Sequence, residues 1–307
     1  MAHWSCAISA ADLFYTQHAT DRAAVEAAIA AIGHNELSDI PERVAEAIRY
    51  ALSGGGKRLR GMLVLAAHRA AGGTGDASRL AASVEVIHAY SLVHDDLPCM
   101  DDDDIRRGRL STHKAMGVEV AIAAGAAMIP LAALVAYRGA SELRLPETAC
   151  CTIVKVLMQG AGAGGMIGGQ MLDLAGEGEV LTRDQLDAIH ASKTGALIAT
   201  SVKIGGLAAG ADGARVDALE SYGRSIGLAF QIMDDVLDVT SSTDQLGKVA
   251  GRDVTLGKST YPALLGVDGA VTRANNLVAT GCDGLKRQGL LTAELENLAG
   301  FIVSRSH

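Results

Sequence analysis

The sequence predicts an all-helical fold, and three observations carry that prediction. Of 307 residues, 49% are hydrophobic but only 3% aromatic, so the core must be built from Ala, Leu, Val, Ile and Met. Apolar residues recur at helical spacing in separate segments, and no stretch alternates apolar with polar as a half-buried strand does. No short repeat, low-complexity tail or long Pro/Ser linker divides the chain, so residues 1–307 read as a single domain.

Taken in order, Val25, Ile29 and Ile32 form an i, i+4, i+7 stripe, and Val44, Ile48 and Leu52 form an i, i+4, i+8 stripe. The second is punctuated at both ends. Pro41 can occupy the first helical turn, and Gly54-Gly55-Gly56 can end the helix in left-handed conformations, so a new helix is expected near Lys57. From Asp76 the spacing of Leu80, Val84 and Ile87 predicts a helix running to Asp95, where Pro98 breaks the pattern. Val120 to Tyr137 carries no charge over eighteen residues, about the minimum for a membrane span. Its Ala and Gly content and Pro130 suit a buried central helix better. A further helix is expected over Tyr222 to Val239.

The net charge of −8 argues against nucleic acid as a partner, because phosphate contacts need a basic surface. Cys6, Cys99, Cys150, Cys151 and Cys282 are odd in number and lack metal-ligand spacing, which fits a reducing cytoplasm. Asp12, Asp21, Arg22 and Glu26 interrupt the first thirty residues, and no basic segment leads into a long apolar one, so no secretory signal is expected.

The acidic residues concentrate in two blocks. The first holds Asp95, Asp96, Asp101, Asp102, Asp103 and Asp104. Carboxylates about 4 Å apart repel by about 1 kcal/mol in water and about 4 kcal/mol at an effective dielectric of 20, so a partly buried cluster needs a cation. Oxygen donors select Mg²⁺ or Ca²⁺. The second block, Asp234-Asp235-Val236-Leu237-Asp238, puts Asp234 and Asp238 on one helical face among Leu228, Ile232 and Val236. Two such blocks could share Mg²⁺ ions that also accept diphosphate oxygens.

Cations accompany them. Lys57, Arg58 and Arg60 follow three glycines at an expected helix N-terminus, where they oppose the macrodipole unless an anion is bound. Arg106 and Arg107 directly follow the acidic run. His88 lies two turns before Asp95, a rise of about 10 Å, and could contact a second anion or serve only packing.

In order, Gly55-Gly56-Lys57-Arg58-Leu59-Arg60, the run from Asp95 to Gly108, Gly168-Gly169-Gln170-Met171-Leu172-Asp173, Lys193-Thr194-Gly195, Phe230-Gln231-Ile232-Met233-Asp234-Asp235-Val236-Leu237-Asp238 and Gly257-Lys258-Ser259-Thr260-Tyr261-Pro262 resemble the trans-prenyl diphosphate synthases. The likeness runs from about residue 40 to 266 and is nearest to the family's bacterial farnesyl-forming members.

The resemblance implies an all-α isoprenoid synthase bundle around a deep central apolar cavity, a homodimer, and several Mg²⁺ ions. It makes Asp95, Asp96, Asp101, Asp234 and Asp238 candidate metal ligands. Lys57, Arg60, His88 and Arg107 match the isopentenyl diphosphate side; Arg106, Lys193, Thr194, Gln231, Lys248 and Lys258 match the allylic side. It also implies that Mg²⁺ and the cations stabilise a departing diphosphate, that the allylic cation is attacked by the isopentenyl double bond, and that proton loss ends the cycle. Asp95, Asp101, Arg106, Lys193, Thr194, Gln231, Asp234 and Lys258 would carry that chemistry, without a redox or organic cofactor.

Tyr90 lies about 7.5 Å down the helix from Asp95, beside Ser91, and a ring there could stop a growing chain. In the family this feature, with the two-residue insertion in the first acidic motif, suggests a fifteen-carbon product; geranylgeranyl diphosphate remains the alternative. The chain departs from the family at Gly61 and Leu110, where proline is common and its loss could loosen two turns, and at Ala126, where aspartate is common. A noncatalytic subunit of a heteromeric prenyltransferase is the reading from another class. A terpene cyclase would need one diphosphate, whereas Lys57, Arg60 and His88 imply a second.

Overall fold

The structure, a computed structural model, describes residues 14, 16–240 and 259–304. Among these residues it contains thirteen α-helices. The first four are α1 (Ala19–Asn35), α2 (Glu42–Leu52), α3 (Leu59–Ala70) and α4 (Ser78–Asp95). A hairpin of β1 (Ile105–Arg106) and β2 (Arg109–Leu110) leads to α5 (Thr112–Met116), α6 (Val118–Glu142), α7 (Glu147–Ala161), α8 (Met166–Ala175) and α9 (Arg183–His190). A π-turn, Ala191–Gly195, joins α9 to α10 (Ala196–Ala208), followed by α11 (Gly213–Thr240), α12 (Tyr261–Arg287) and α13 (Ala293–Ser304).

The apolar stripes do what their spacing requires. Val25, Ile29 and Ile32 are buried on α1, Ile48 and Leu52 on α2, and Leu80, Val84 and Ile87 on α4. They belong to one part of the core, shared by α1, α2, α4, α6 and α7. A second part gathers α3 and α9 to α13 around Met62, Leu63, Ile198, Tyr222 and Tyr261. With few aromatic rings to fill space, helices meet through small residues. A Cβ at Gly205 of α10 would lie 2.5 Å from the Val64 carbonyl oxygen of α3, and one at Gly223 of α11 would lie 2.5 Å from Ala199 Cα of α10. These close contacts bring α3 and α11, which carry candidate site residues, together on either side of α10.

Local chemistry moves several expected boundaries. Pro41 stands just outside α2 as its N-cap, and the chain after Ser53 turns through Gly55 (φ 67°) and Gly56 (φ 130°). α3 begins at Leu59 rather than near Lys57, because Arg58 adopts a left-handed conformation (φ 51°) as N-cap. Burial of the Arg58 guanidinium offsets that strain: it bonds Glu26 at 2.8 and 3.1 Å and the Leu52 carbonyl oxygen at 3.0 Å. α11 starts nine residues before the expected Tyr222. The Asp212 side chain caps it by accepting from the Arg215 amide at 3.0 Å.

The two departures from proline are not loose. The Gly61 amide donates to Glu85 Oε1 at 2.9 Å, a bond proline could not make, and the Leu110 carbonyl accepts from the Tyr50 hydroxyl at 2.8 Å. Cys99, Cys150, Cys151 and Cys282 are free thiols; Cys6 lies outside the described residues.

α6 and the segment Glu147–Ala175 are long and apolar enough to cross a membrane by length and composition. α6 packs Ala124, Met128, Leu131 and Val135 into the core. Its opposite face, with Ile122, Ala126, Pro130, Leu134 and Tyr137, is exposed. The expectation of a buried central helix therefore holds for one face only, since both faces of this helix are apolar and one is exposed. Ala126 belongs to the uncovered face and does not line the cavity described next.

Candidate active site

A cavity of about 910 Å³ opens between α3, α4, the β-hairpin, α8, the π-turn and α11. Lys57, Arg60, His88 and Arg107, expected on the isopentenyl side, line it together with Asp95, Asp101, Asp234, Arg106, Lys193, Thr194 and Gln231. Tyr90 and Ser91 also line it, with Met166, Ile167 and Met171 adding apolar surface. Asp96 and Asp238 are buried to 2% and 4% exposure and are not among the lining residues. Lys248 and Lys258 lie outside the described residues.

The acidic run folds back at the end of α4. The Asp101 amide donates to the Asp95 carbonyl oxygen at 2.8 Å and the Asp102 amide to that of Leu97 at 3.1 Å, turning Asp95 and Asp101 into one cavity. Asp96 points elsewhere: its carboxylate accepts from Arg106 Nε at 2.9 Å and also from Arg106 Nη2. Arg106 Nη2 bonds Asp103 at 2.9 Å as well.

The hairpin separates two neighbouring arginines. Arg107 (φ 54°) and Gly108 (φ 73°) form its tight turn, the left-handed pair a two-residue hairpin needs. Arg106 consequently serves the carboxylate side, while Arg107 reaches His88 Nε2 at 3.3 Å and the Gly55 carbonyl oxygen. Gly56 leaves room for it, because a Cβ there would sit 2.6 Å from Arg107 Nη1.

The π-turn places Lys193 and Thr194 at the cavity. A Cβ at Gly169 of α8 would collide with the Lys193 backbone, so the glycine pair before Gln170 lets α8 pack on that turn. Lys193 Nζ bonds Asp173 at 2.7 Å. Gln170 lines the cavity with both ends of its buried amide unbonded.

Behind the second acidic block, Asp235 accepts from the Tyr261 amide at 3.0 Å, and His190 Nε2 lies 3.6 Å from the same carboxylate. His190 Nδ1 lies 3.3 Å from Gln231 Nε2. Asp173, Gln170 and His190 had no assigned roles in the sequence reading. The first two sit inside a recognised motif and could have been weighed; His190 carries no signal of its own.

The sequence pattern of the family described as Polyprenyl synthetase matches residues 41–282. The chain belongs to that family. It is 45% identical over 271 residues to farnesyl diphosphate synthase of Escherichia coli, covering 86% of this chain and 89% of that one. Its fold matches the crystal structure of a geranyltransferase from Legionella pneumophila, with a TM-score of 0.80, 32% identity and coverage of 96% of this chain and 97% of that one. It also matches a geranyltransferase from Helicobacter pylori, complexed with magnesium and isoprenyl diphosphate, with a TM-score of 0.76, 27% identity and 97% coverage of both chains. This polyprenyl synthetase is a short-chain trans-prenyltransferase.

Electrostatics show what each wall of the enzyme is built to receive. Burial lowers the pKa of Arg60; Glu85 opposes the shift, Arg107 adds to it and Asp234 opposes it, while Arg60 Nε is buried without a hydrogen-bond partner. Burial, followed by Arg60 and Arg107, drives the His88 pKa well below its ordinary value, so the imidazole is neutral. An anion relieves this crowding of cations.

Burial raises the Asp95 pKa to about 7; Lys193 opposes the rise, and Asp101 and Asp96 add to it. A divalent cation relieves that side. The hard carboxylate oxygens of Asp95, Asp101 and Asp234 fit Mg²⁺ by donor chemistry.

The sign of the Asp95 shift gives a test. Its folded-state pKa exceeds the ordinary 3.8, so the folded chain holds this proton more tightly, and stability contributed by Asp95 falls as pH rises towards 7. Asp95→Asn is expected to raise the melting temperature of metal-free protein at pH 8 by at least about 2–4 °C, the shift that about 1 kcal/mol gives. The gap should narrow towards pH 5, and stabilisation by added Mg²⁺ should shrink. A lower melting point than wild type at pH 8 would contradict this electrostatic reading.

Proposed function

We propose that this prenyltransferase condenses isopentenyl diphosphate with dimethylallyl diphosphate, then with geranyl diphosphate, to form farnesyl diphosphate. The observation that carries the reading is one cavity lined both by carboxylates at Asp95, Asp101 and Asp234 and by cations at Lys57, Arg60 and Arg107. One diphosphate fits each side. Asp95, Asp101 and Asp234 would hold Mg²⁺, with Asp238 one turn beyond Asp234, and the bound ions supply charge neutralisation to the departing diphosphate.

The chain's own residues shape the rest of the cycle. Lys57, Arg60 and Arg107 hold isopentenyl diphosphate as a charge-assisted clamp, and neutral His88 keeps Arg107 in place by accepting its hydrogen bond. Lys193 and Arg106 face the allylic diphosphate as its C–O bond breaks and the electron pair leaves with it. Thr194 and Gln231 present dipoles to the allylic cation. Attack by the isopentenyl double bond forms the new C–C bond, and the released diphosphate takes the proton that restores a double bond. Met166, Ile167 and Met171 contribute apolar wall that limits water near the cation.

Tyr90 supports the fifteen-carbon product. It is 6% exposed, lines the cavity, and meets the His94 ring edge-on with centroids 4.8 Å apart. His94 is seated over Gly125, where any Cβ would collide with its ring, and His94 Nε2 lies 3.4 Å from the Ile122 carbonyl oxygen. The tyrosine therefore stands on a braced helix pair. The exposed α6 stripe of Ile122, Ala126, Leu134 and Tyr137 supports a homodimer, with a second copy covering that face. We place the enzyme in the cytoplasm, consistent with its free thiols.

Purified protein with Mg²⁺, isopentenyl diphosphate and dimethylallyl or geranyl diphosphate should yield mainly C15 product, and Tyr90→Ala should shift it to C20. Mainly C20 from wild type would remove Tyr90 as the stop. Absence of extension would leave a subunit role in a heteromeric enzyme. Sedimentation velocity should give twice the chain mass, with Leu134→Glu shifting it towards monomer; a monomeric wild type would rule the dimer out.

A further inference from the structure

We propose that His190 is a positioning residue that fixes the Gln231 amide with its carbonyl oxygen towards the cavity, where the allylic cation forms. The proposal rests on the prenyl-transfer reading above. His190 is 7% exposed and ends α9 at the residue before the π-turn that carries Lys193 and Thr194. It is not among the cavity-lining residues, whereas Gln231 is. Any effect of His190 on the reacting atoms must therefore pass through another group.

The surroundings of the ring select its tautomer. Nε2 makes no hydrogen bond but lies 3.6 Å from the Asp235 carboxylate, whose negative charge favours the protonated nitrogen on that side, and that carboxylate is itself held by the Tyr261 amide at 3.0 Å. A proton on Nε2 is favoured there, which leaves a lone pair on Nδ1. Gln231 Nε2 lies 3.3 Å from Nδ1 and donates to it. The ring cannot readily turn, because Tyr261 stacks against it with centroids 5.6 Å apart and planes 24° apart. Tyr261 is anchored in turn by its hydroxyl on Asp187, which also pairs with Arg273.

The chemical consequence lies at the other end of the amide. With its NH₂ committed to His190, Gln231 directs its negative carbonyl dipole away from the ring and to the cavity side. That orientation stabilises a carbocation, and a flipped amide would oppose it. An isolated glutamine could adopt either orientation. The preorganised dipole is therefore set by His190, and behind it by Asp235 and Tyr261.

His190→Leu should lower kcat about 10–100-fold, in line with loss of a preorganised transition-state dipole. KM for isopentenyl diphosphate, bound at the opposite wall, should change less than about twofold. His190→Asn keeps an acceptor for the Gln231 NH₂ and should recover most of the rate. In a Gln231→Leu background, His190→Leu should cost less than about a further twofold. Multiplying losses, or a folded His190→Asn as slow as His190→Leu, would overturn the proposal.

A measurement on the unaltered protein needs no variant to fold. Nitrogen-15 NMR of labelled histidine should show His190 protonated on Nε2 and bare on Nδ1. An active wild type with the reversed tautomer would overturn the positioning role alone. A wild type that extends no substrate would overturn the prenyl-transfer reading and the role of His190 with it.

Discussion

Charge of both signs, gathered around one cavity in an apolar bundle, is the constraint on which the rest of this structure depends. Arg60 and Arg107 line the same cavity as Asp95, Asp101 and Asp234, and Asp234 is near enough to Arg60 to oppose the lowering of its pKa. Several nearby charges are in fact neutralised locally. Arg58 is taken by Glu26, Asp96 by Arg106, and Lys193 by Asp173. These pairs hold the backbone in place around the cavity. The arrangement costs stability, which the packed helices around it must offset.

Small residues make that packing possible. Gly205 and Gly223 bring α10 against α3 and α11, Gly169 seats α8 on the π-turn, and Gly125 accepts the His94 ring. A core rich in aromatics would hold these helices further apart and blunt the definition of the cavity. The same preference for small apolar residues explains α6, whose outer face is apolar without being covered. Packing and cavity thus arise from one compositional choice.

Much of this was legible in the sequence because helical spacing and acidic clustering are local signals. The stripes at Val25, Val44 and Leu80 mark real helices, and the blocks at Asp95 and Asp234 reach one cavity. What escaped the sequence depends on non-local or conformational detail. Arg58 shifts the start of α3 by turning left-handed, an outcome set by Glu26 some thirty residues away. The π-turn adds one residue to a helix that otherwise reads as continuous. The hairpin at Arg106 and Arg109 is too short to show alternation, yet its turn decides that adjacent arginines serve different sides. His190 acquires meaning only when α9 and α11 meet, and the exposed face of α6 looks like a core stripe because its residues are equally apolar.

The central claim is that the two diphosphates are held by different physics, one by side-chain cations and one through metal-bridged carboxylates. The most direct measurement is calorimetric titration of isopentenyl diphosphate and, separately, of an unreactive allylic thiolodiphosphate, each with Mg²⁺ and with chelator. Two distinct sites predict that isopentenyl diphosphate binds in chelator and that the allylic analogue binds only when Mg²⁺ is present. Equal dependence of both ligands on Mg²⁺, or of neither, would contradict the division of the cavity into a cation clamp and a metal clamp.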